Sequence, residues 1–132
     1  MKLAIVLLAG APVLLMAESA QRMVSICKPI TEAKVGAENR LFFEETFESG
    51  ICWGAFGALQ EVSRVGGTTS PVRPVLPLGC IPEGRTRSQM VAVFVEFVRR
   101  NPQRMHEEFI FVAMDAMKAA FPCRDEQAKN LR

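Results

Sequence analysis

Four cysteines, Cys27, Cys52, Cys80 and Cys123, and a single histidine, His106, are the residues of this 132-residue chain whose types suit covalent or metal chemistry. A Cys/His hydrolase needs a free thiolate within hydrogen-bond reach of an imidazole, with a third group to orient the ring. All four cysteines can be paired with one another, and no third group is marked out. His106 therefore reads as a packing or capping residue on a helix. Zinc would ask for short ligand spacing such as Cys-x-x-Cys, and no two cysteines stand close together in the chain. Glu44–Glu45 and Glu107–Glu108 are adjacent pairs that point to different sides of a helix and read as solvated faces. With no glycine-rich phosphate loop and no serine elbow, nothing asks for a cofactor, and the chain does not read as an enzyme. The cysteines are then cross-links, if the compartment permits them.

The N-terminus speaks to the compartment. In "MKLAIVLLAGAPVLLMAESAQ", Lys2 precedes an apolar run from Leu3 to Met16, followed by small and polar residues. That is the layout of a secretory signal peptide, and the run is shorter than the roughly 20 residues of a membrane span. Cleavage is expected after Ala17 or Ser19, giving a leader over 1–19 and one domain over 20–132; an uncleaved anchor or a buried first helix is the alternative. An even number of cysteines in a small exported chain implies two disulfides, with three pairings open. A net charge of +2 and a pI near 8.5 are too mild for a nucleic-acid binder.

The elements that must position these residues are helical. A short pattern over 19–32 surrounds Cys27 and is expected to end at Pro29. The first substantial helix is expected over 38–64, where Phe43, Phe47, Ile51, Ala55, Ala58 and Val62 recur at spacings of three and four. Alongside run Gly50, Gly54 and Gly57, each costing about 1 kcal/mol relative to alanine inside a helix. Such a row suggests a close helix crossing or a bend, most simply from tight packing within the monomer. From 65 to 84 the chain turns rich in proline and glycine, a long connection pinned by Cys80 near its end. Thr86 and Gln89 form a capping-box pattern opening a third helix, with Met90, Phe94, Phe97 and Val98 on its apolar face and Val91 and Val95 beside them. Arg99 and Arg100 complement its dipole. Asn101 and Pro102 then restart a helix at once, running through Met105, Phe109, Val112, Ala113 and Ala116 to Ala120, before Phe121, Pro122 and Cys123. Only "VRPVLPL", residues 72 to 78, hints at a strand, and its prolines discourage one. The expected class is all-α: about four helices in one small domain.

Helices three and four form a hairpin or a sharp corner, so their outer ends should meet. Cys80 precedes one and Cys123 follows the other, which predicts a Cys80–Cys123 clasp and leaves Cys27–Cys52 to tie the N-terminal segment to helix two.

Taken together, "CWGAFGAL", "GCIPEGRTRSQMVAVFVEFVRRNPQRMH" and "DAMKAAFPC" resemble the Rap/Tai-type immunity proteins of bacterial type VI secretion systems. Cys52, Gly54, Cys80, Pro82, Gly84, Gln89, Pro102, His106, Phe121, Pro122 and Cys123 fall in that family's order. The chain departs in carrying Ala55 and Phe56 where a tyrosine is usual near Gly54, and Leu59-Gln60 where an acidic residue is frequent. The resemblance implies a periplasmic inhibitor, often homodimeric, that occludes the cysteine–histidine site of a secreted peptidoglycan amidase toxin. It implies no nucleic-acid partner, and no membrane partner once the leader is cut. Two surfaces offer themselves as the contact. One is the 65–79 loop with Arg73; the other is the corner of Arg99, Arg100, Gln103 and Arg104. Arginine is enriched at binding hot spots, although dipole complementation alone would also place it there. A periplasmic stress protein, resembling the small helical acid chaperones, is the alternative reading.

Overall fold

The computed structural model describes residues 18–68 and 78–123. Four helices make up most of it: α1 (Ala20–Thr31), α2 (Phe47–Thr68), α3 (Arg87–Arg100) and α4 (Phe109–Ala120). The all-α expectation holds, with one small addition. Lys34–Val35 (β1) and Leu41–Phe42 (β2) form a two-residue antiparallel ladder, Lys34 opposite Phe42 and Val35 opposite Leu41.

Ser19 caps α1, its side chain accepting the Arg22 amide at 3.2 Å. Met23, Ile26, Cys27 and Ile30 form the buried stripe. Pro29 does not end this helix, contrary to expectation; α1 continues to Thr31. The bond that proline forgoes is the one to the Ser25 carbonyl, near a helix end, where the loss is small compared with mid-helix.

The expected start of α2 at residue 38 is also corrected. The ladder and a turn through Glu38, whose φ is +64°, occupy that stretch. Helix α2 opens only at Phe47, where Thr46 and Ser49 cap each other reciprocally. Thr46 Oγ1 accepts the Ser49 amide at 3.0 Å, and Ser49 Oγ accepts the Thr46 amide at 2.8 Å. Ser49 Oγ also donates to the Glu44 carbonyl at 2.9 Å, which lets a polar side chain be buried here. At its other end α2 passes through Gly66 and Gly67 to Thr68, beyond the expected limit. Glycine weakens a helix without removing a backbone donor, so the ladder survives. Of "VRPVLPL" only Leu78 lies within the described residues, and it is buried.

The glycine row does not mark a helix crossing. A Cβ at Gly50 or Gly54 would meet nothing within 4 Å; at Gly57 it would meet the Arg87 guanidinium carbon at 2.9 Å. The face α2 buries is instead that of Cys52, Phe56 and Leu59. Phe56 meets Phe94 of α3 and Phe109 of α4, and the latter two meet each other, with ring centroids 5.6, 5.5 and 5.2 Å apart. Tilted and edge-on rings of this kind add about 0.5–1.5 kcal/mol per pair beyond their burial. Met90, Val91, Val98, Val112 and Met117 complete the centre.

Helix α4 does not restart at Pro102. Residues 102–104 make one 3-10 turn, and the α-helix begins at Phe109. The cause is competition for backbone groups. The Ala20 amide donates to the Glu107 carbonyl and the Phe109 amide to the Glu18 carbonyl, both at 2.8 Å, and the Gln21 amide donates to Met105 at 2.9 Å. Groups spent on the start of α1 are lost to a continuous helix. His106 lies exposed in this turn and not on a helix.

Both expected disulfides form. Cys27–Cys52 joins α1 to α2, and Cys80–Cys123 closes the outer end of α3 and α4, with Cα separations of 5.3 and 5.0 Å. The loops they close, 25 and 43 residues, correspond to about 3.5 and about 4 kcal/mol of chain entropy removed from the unfolded state. Beside the second bridge the Cys80 amide donates to the Phe121 carbonyl at 2.7 Å, so residues 78–80 lie directly across the end of α4.

Candidate functional site

Helix α3 carries arginines at both ends, and the two ends differ in how those arginines are spent. At the C-terminal end Arg99 grips the Glu96 carboxylate through Nε and Nη2, at 2.8 and 2.7 Å, and Arg100 Nε reaches the same carboxylate at 2.6 Å. Hydrogen bonds from Arg99 and then Arg100 hold the Glu96 carboxyl down to about 2. Arg104 bonds to Glu107 through Nε and Nη2, the latter at 2.6 Å, and reaches Asp115 of α4 at 2.8 Å, with the Phe97 ring beneath it. Those carboxylates raise the Arg104 pKa above its usual range and hold the Glu107 carboxyl below its own. Gln103 makes only a long contact to Asn101, 3.5 Å.

The corner singled out from sequence is thus brought together in space. Its three guanidiniums are matched by Glu96, Glu107 and Asp115. Arg99 and Arg100 are exposed, whereas Arg104 is a strut fastening the 101–108 turn to α4. Arg73 lies outside the described residues.

At the N-terminal end the capping box forms as expected: Thr86 Oγ1 accepts the Gln89 amide and Gln89 Oε1 accepts the Thr86 amide. Around it stand two arginines that sequence reasoning passed over. Arg87 lies with its guanidinium carbon 4.6 Å from the centre of the Trp53 ring, against the bare backbone of Gly57. Trp53 packs in turn on Phe43, centroids 5.5 Å apart. The Arg87 Nε is buried without a hydrogen-bond acceptor, a state that costs about 1–3 kcal/mol. Arg85 sits 5.5 Å over the Phe121 ring, and its carbonyl accepts from Gln60 Nε2 at 2.9 Å. Neither arginine forms an ion pair among the described residues. A signal was present in the sequence. Arg99, Arg100 and Arg104 each have a glutamate three or four residues away within the same local element. The only acid near Arg85 and Arg87 is Glu83, in the turn before the helix, where helical spacing does not apply.

An open cleft of about 580 Å³ lies between α1 and β2, lined by Lys28, Pro29, Lys34, Phe42, Phe43 and Glu44 among others. No group of three or more histidine, cysteine or acidic residues that could hold a metal ion occurs among the described residues. Among them, too, no helix is long and apolar enough to cross a membrane.

Residues 71–123 match the Rap1a immunity proteins. The Rap1a match takes in α3, the arginine corner, α4 and both cysteines of the second disulfide, and it stops short of α1, the β ladder and α2. No curated protein and no solved structure matches the chain. The chain therefore resembles the Rap1a proteins through its α3–α4 half, and this similarity points to an immunity function.

Proposed function

We propose that this chain is a periplasmic immunity protein that binds a peptidoglycan amidase delivered by a type VI secretion system and covers its active site, protecting the cell that makes it. The observation that carries the reading is the Rap1a match over residues 71–123. Two features support it. All four cysteines are paired, which suits an oxidising compartment. Each disulfide crosses between distant parts of the chain, and a body held this way loses little conformational freedom when it docks.

In this reading the contact comes from the α3–α4 half. The corner with Arg99, Arg100, Gln103 and Arg104 and the connection with Arg73 are the surfaces proposed for it. Homodimerisation, which the family resemblance also implies, is proposed for the outer face of α2. There Phe47, Gly50, Gly54, Ala58 and Val62 share one side and are exposed. We also propose that the leader is cut after Ala17. Glu18 supplies the carbonyl for Phe109, and Ser19 caps α1. A cut after Ser19 would remove both bonds; a cut after Ala17 keeps them.

The test is periplasmic co-expression with a candidate peptidoglycan amidase of a type VI secretion system. Survival together with a purifiable complex is the expected result. Lysis unchanged by the protein, with no complex, would reject the proposal. Suppression of protein aggregation at low pH in place of rescue would favour the acid-chaperone reading.

A further inference from the structure

We propose that Arg85 and Arg87, backed by Trp53 and Phe121, form a preorganised docking point for carboxylate side chains on an acidic segment of the toxin. The inference deepens the immunity reading and rests on it for the identity of the partner.

This end of α3 carries unspent hydrogen-bond donors. Arg87 has its Nε withdrawn from water and carries no acceptor for it. Among the described residues its charge is offset by the face of Trp53, an attraction that leaves the guanidinium donors unused. Arg85, two residues earlier, is exposed and likewise has no carboxylate. A carboxylate brought to this end of α3 would meet planar, doubly donating groups that match it in shape and charge.

Rigidity is the second element. Arg87 lies against the indole of Trp53 and against Gly57, where even one Cβ would stand 2.9 Å from the guanidinium carbon. Arg85 is fixed at the backbone by Gln60, five residues from the Cys80 bridge. Side chains already held in place lose less freedom on binding than solvated ones. Arginine and tryptophan are also among the residue types most enriched at protein–protein hot spots.

The arginine corner at the other end of α3 supplies the contrast. A partner carboxylate arriving there must displace Glu96, Glu107 or Asp115 from guanidiniums that already hold them. At Arg85 and Arg87 no carboxylate of the described residues has to leave. A net charge of only +2 for the whole chain argues for a protein carboxylate and against a nucleic acid or an anionic membrane.

Two measurements test this on the intact, disulfide-bonded protein. The first is a nuclear magnetic resonance titration with acetyl-tetraglutamate-amide, using acetyl-tetraglutamine-amide as the neutral control. Trp53 is the only tryptophan, so its indole N–H is a single unambiguous reporter. Saturable shifts of that signal and of the Arg87 Nε–H with the glutamate peptide alone are expected. Shifts centred on Arg99 and Arg100, or equal shifts with the glutamine peptide, would overturn the proposal. The second is the affinity of the purified candidate amidase for the wild type, Arg85→Gln, Arg87→Lys and the double variant Arg99→Gln/Arg100→Gln. Arg85→Gln removes a charge contact that binding desolvates, and Arg87→Lys keeps the charge but loses the planar paired donors of the guanidinium; each predicts a weakening of about tenfold or more. The double variant should weaken binding less than either of them, because Arg99 and Arg100 already share the Glu96 carboxylate before any partner arrives. Wild-type binding with Arg85→Gln and Arg87→Lys unimpaired would reject the docking point and leave the immunity reading standing. No wild-type binding at all would reject the immunity reading, and the peptide titration alone would then decide the docking point.

Discussion

Replacing Gly79 by alanine asks how closely residues 78–80 must lie on the end of α4. Gly79 has φ +74°, and so does Gly84 nearly, at +83°. Both positions are left-handed, a region that costs a residue with a Cβ about 1–2 kcal/mol. They differ in space. A Cβ at Gly84 would meet nothing within 4 Å, whereas at Gly79 it would stand 2.6 Å from the Phe121 carbonyl oxygen and 2.9 Å from the Lys118 Cα. Those neighbours are backbone, on a helix end held by the Cys80–Cys123 bridge and by the Cys80–Phe121 hydrogen bond. They cannot swing aside as a side chain would. Overpacking of this sort typically adds about 1–3 kcal/mol. Gly84→Ala should therefore lose about 1–2 kcal/mol and Gly79→Ala about 2–5 kcal/mol. Urea unfolding under non-reducing conditions, with an unchanged slope, measures both. If the two variants lost the same stability within about 0.5 kcal/mol, the close approach at Gly79 would be refuted, because the Gly84 variant already contains the whole backbone term.

Three further outcomes are expected. Ser49→Ala removes both the acceptor of the Thr46 amide and the donor to Glu44 inside a buried position, and should cost about 1–2 kcal/mol by denaturant unfolding. A loss below about 0.3 kcal/mol would mean that water replaces these bonds without penalty. The Glu96 carboxyl, held down to about 2 chiefly by Arg99, should titrate near that value in a carbon-detected resonance experiment and move up towards 4.5 in Arg99→Gln. Because the folded value lies below the unfolded one, its pairing stabilises the fold fully above about pH 4.5 and fades as the pH falls towards 2; a wild-type midpoint at 4.5 would contradict the geometry. Intact mass of the exported protein should match a chain beginning at Glu18 with four oxidised sulfurs; a start at Ala20 would show that the Ser19 cap and the Glu18–Phe109 bond are dispensable.

Where the sequence and the structure agree, the signal was local and chemical. The Thr86–Gln89 capping box works within four residues, and the Cys80–Cys123 clasp followed from two helices joined by a connection too short to do anything but turn back. Where they part, the competing force came from elsewhere in the chain. Phe43 and Phe47 are four apart and look like successive turns of one helix. Yet Phe43 lies before α2 and packs on Trp53, while Phe47 is exposed at the helix start. The two-residue β ladder is too short to show any alternation, and its turn depends on a glutamate at positive φ that no residue-type preference would suggest. Asn101-Pro102 carries every local mark of a helix start, but Glu18, Ala20 and Gln21 take the backbone partners that a helix through 105–109 would need. That competitor lies far away in the chain, beyond the reach of any local helix-start signal.

The same division separates the two groups of arginines. Arginine clusters draw the eye in a linear sequence because charge density is easy to see, and "RRNPQR" is the densest in this chain. Density is a poor guide to binding when each charge has its acid three or four residues away, since such a pair is solvated and largely satisfied before any partner arrives. Availability depends on what is missing from the surroundings, which only the folded arrangement reveals. Arg87 becomes distinctive through three features: no carboxylate of the described residues pairs with it, the indole of Trp53 lies against it, and Gly57 leaves out the Cβ that would crowd it. Two of those three come from α2, outside the segment that matches the Rap1a proteins. A docking point assembled across that boundary would give this chain a specificity for its toxin that the matched half does not contain by itself.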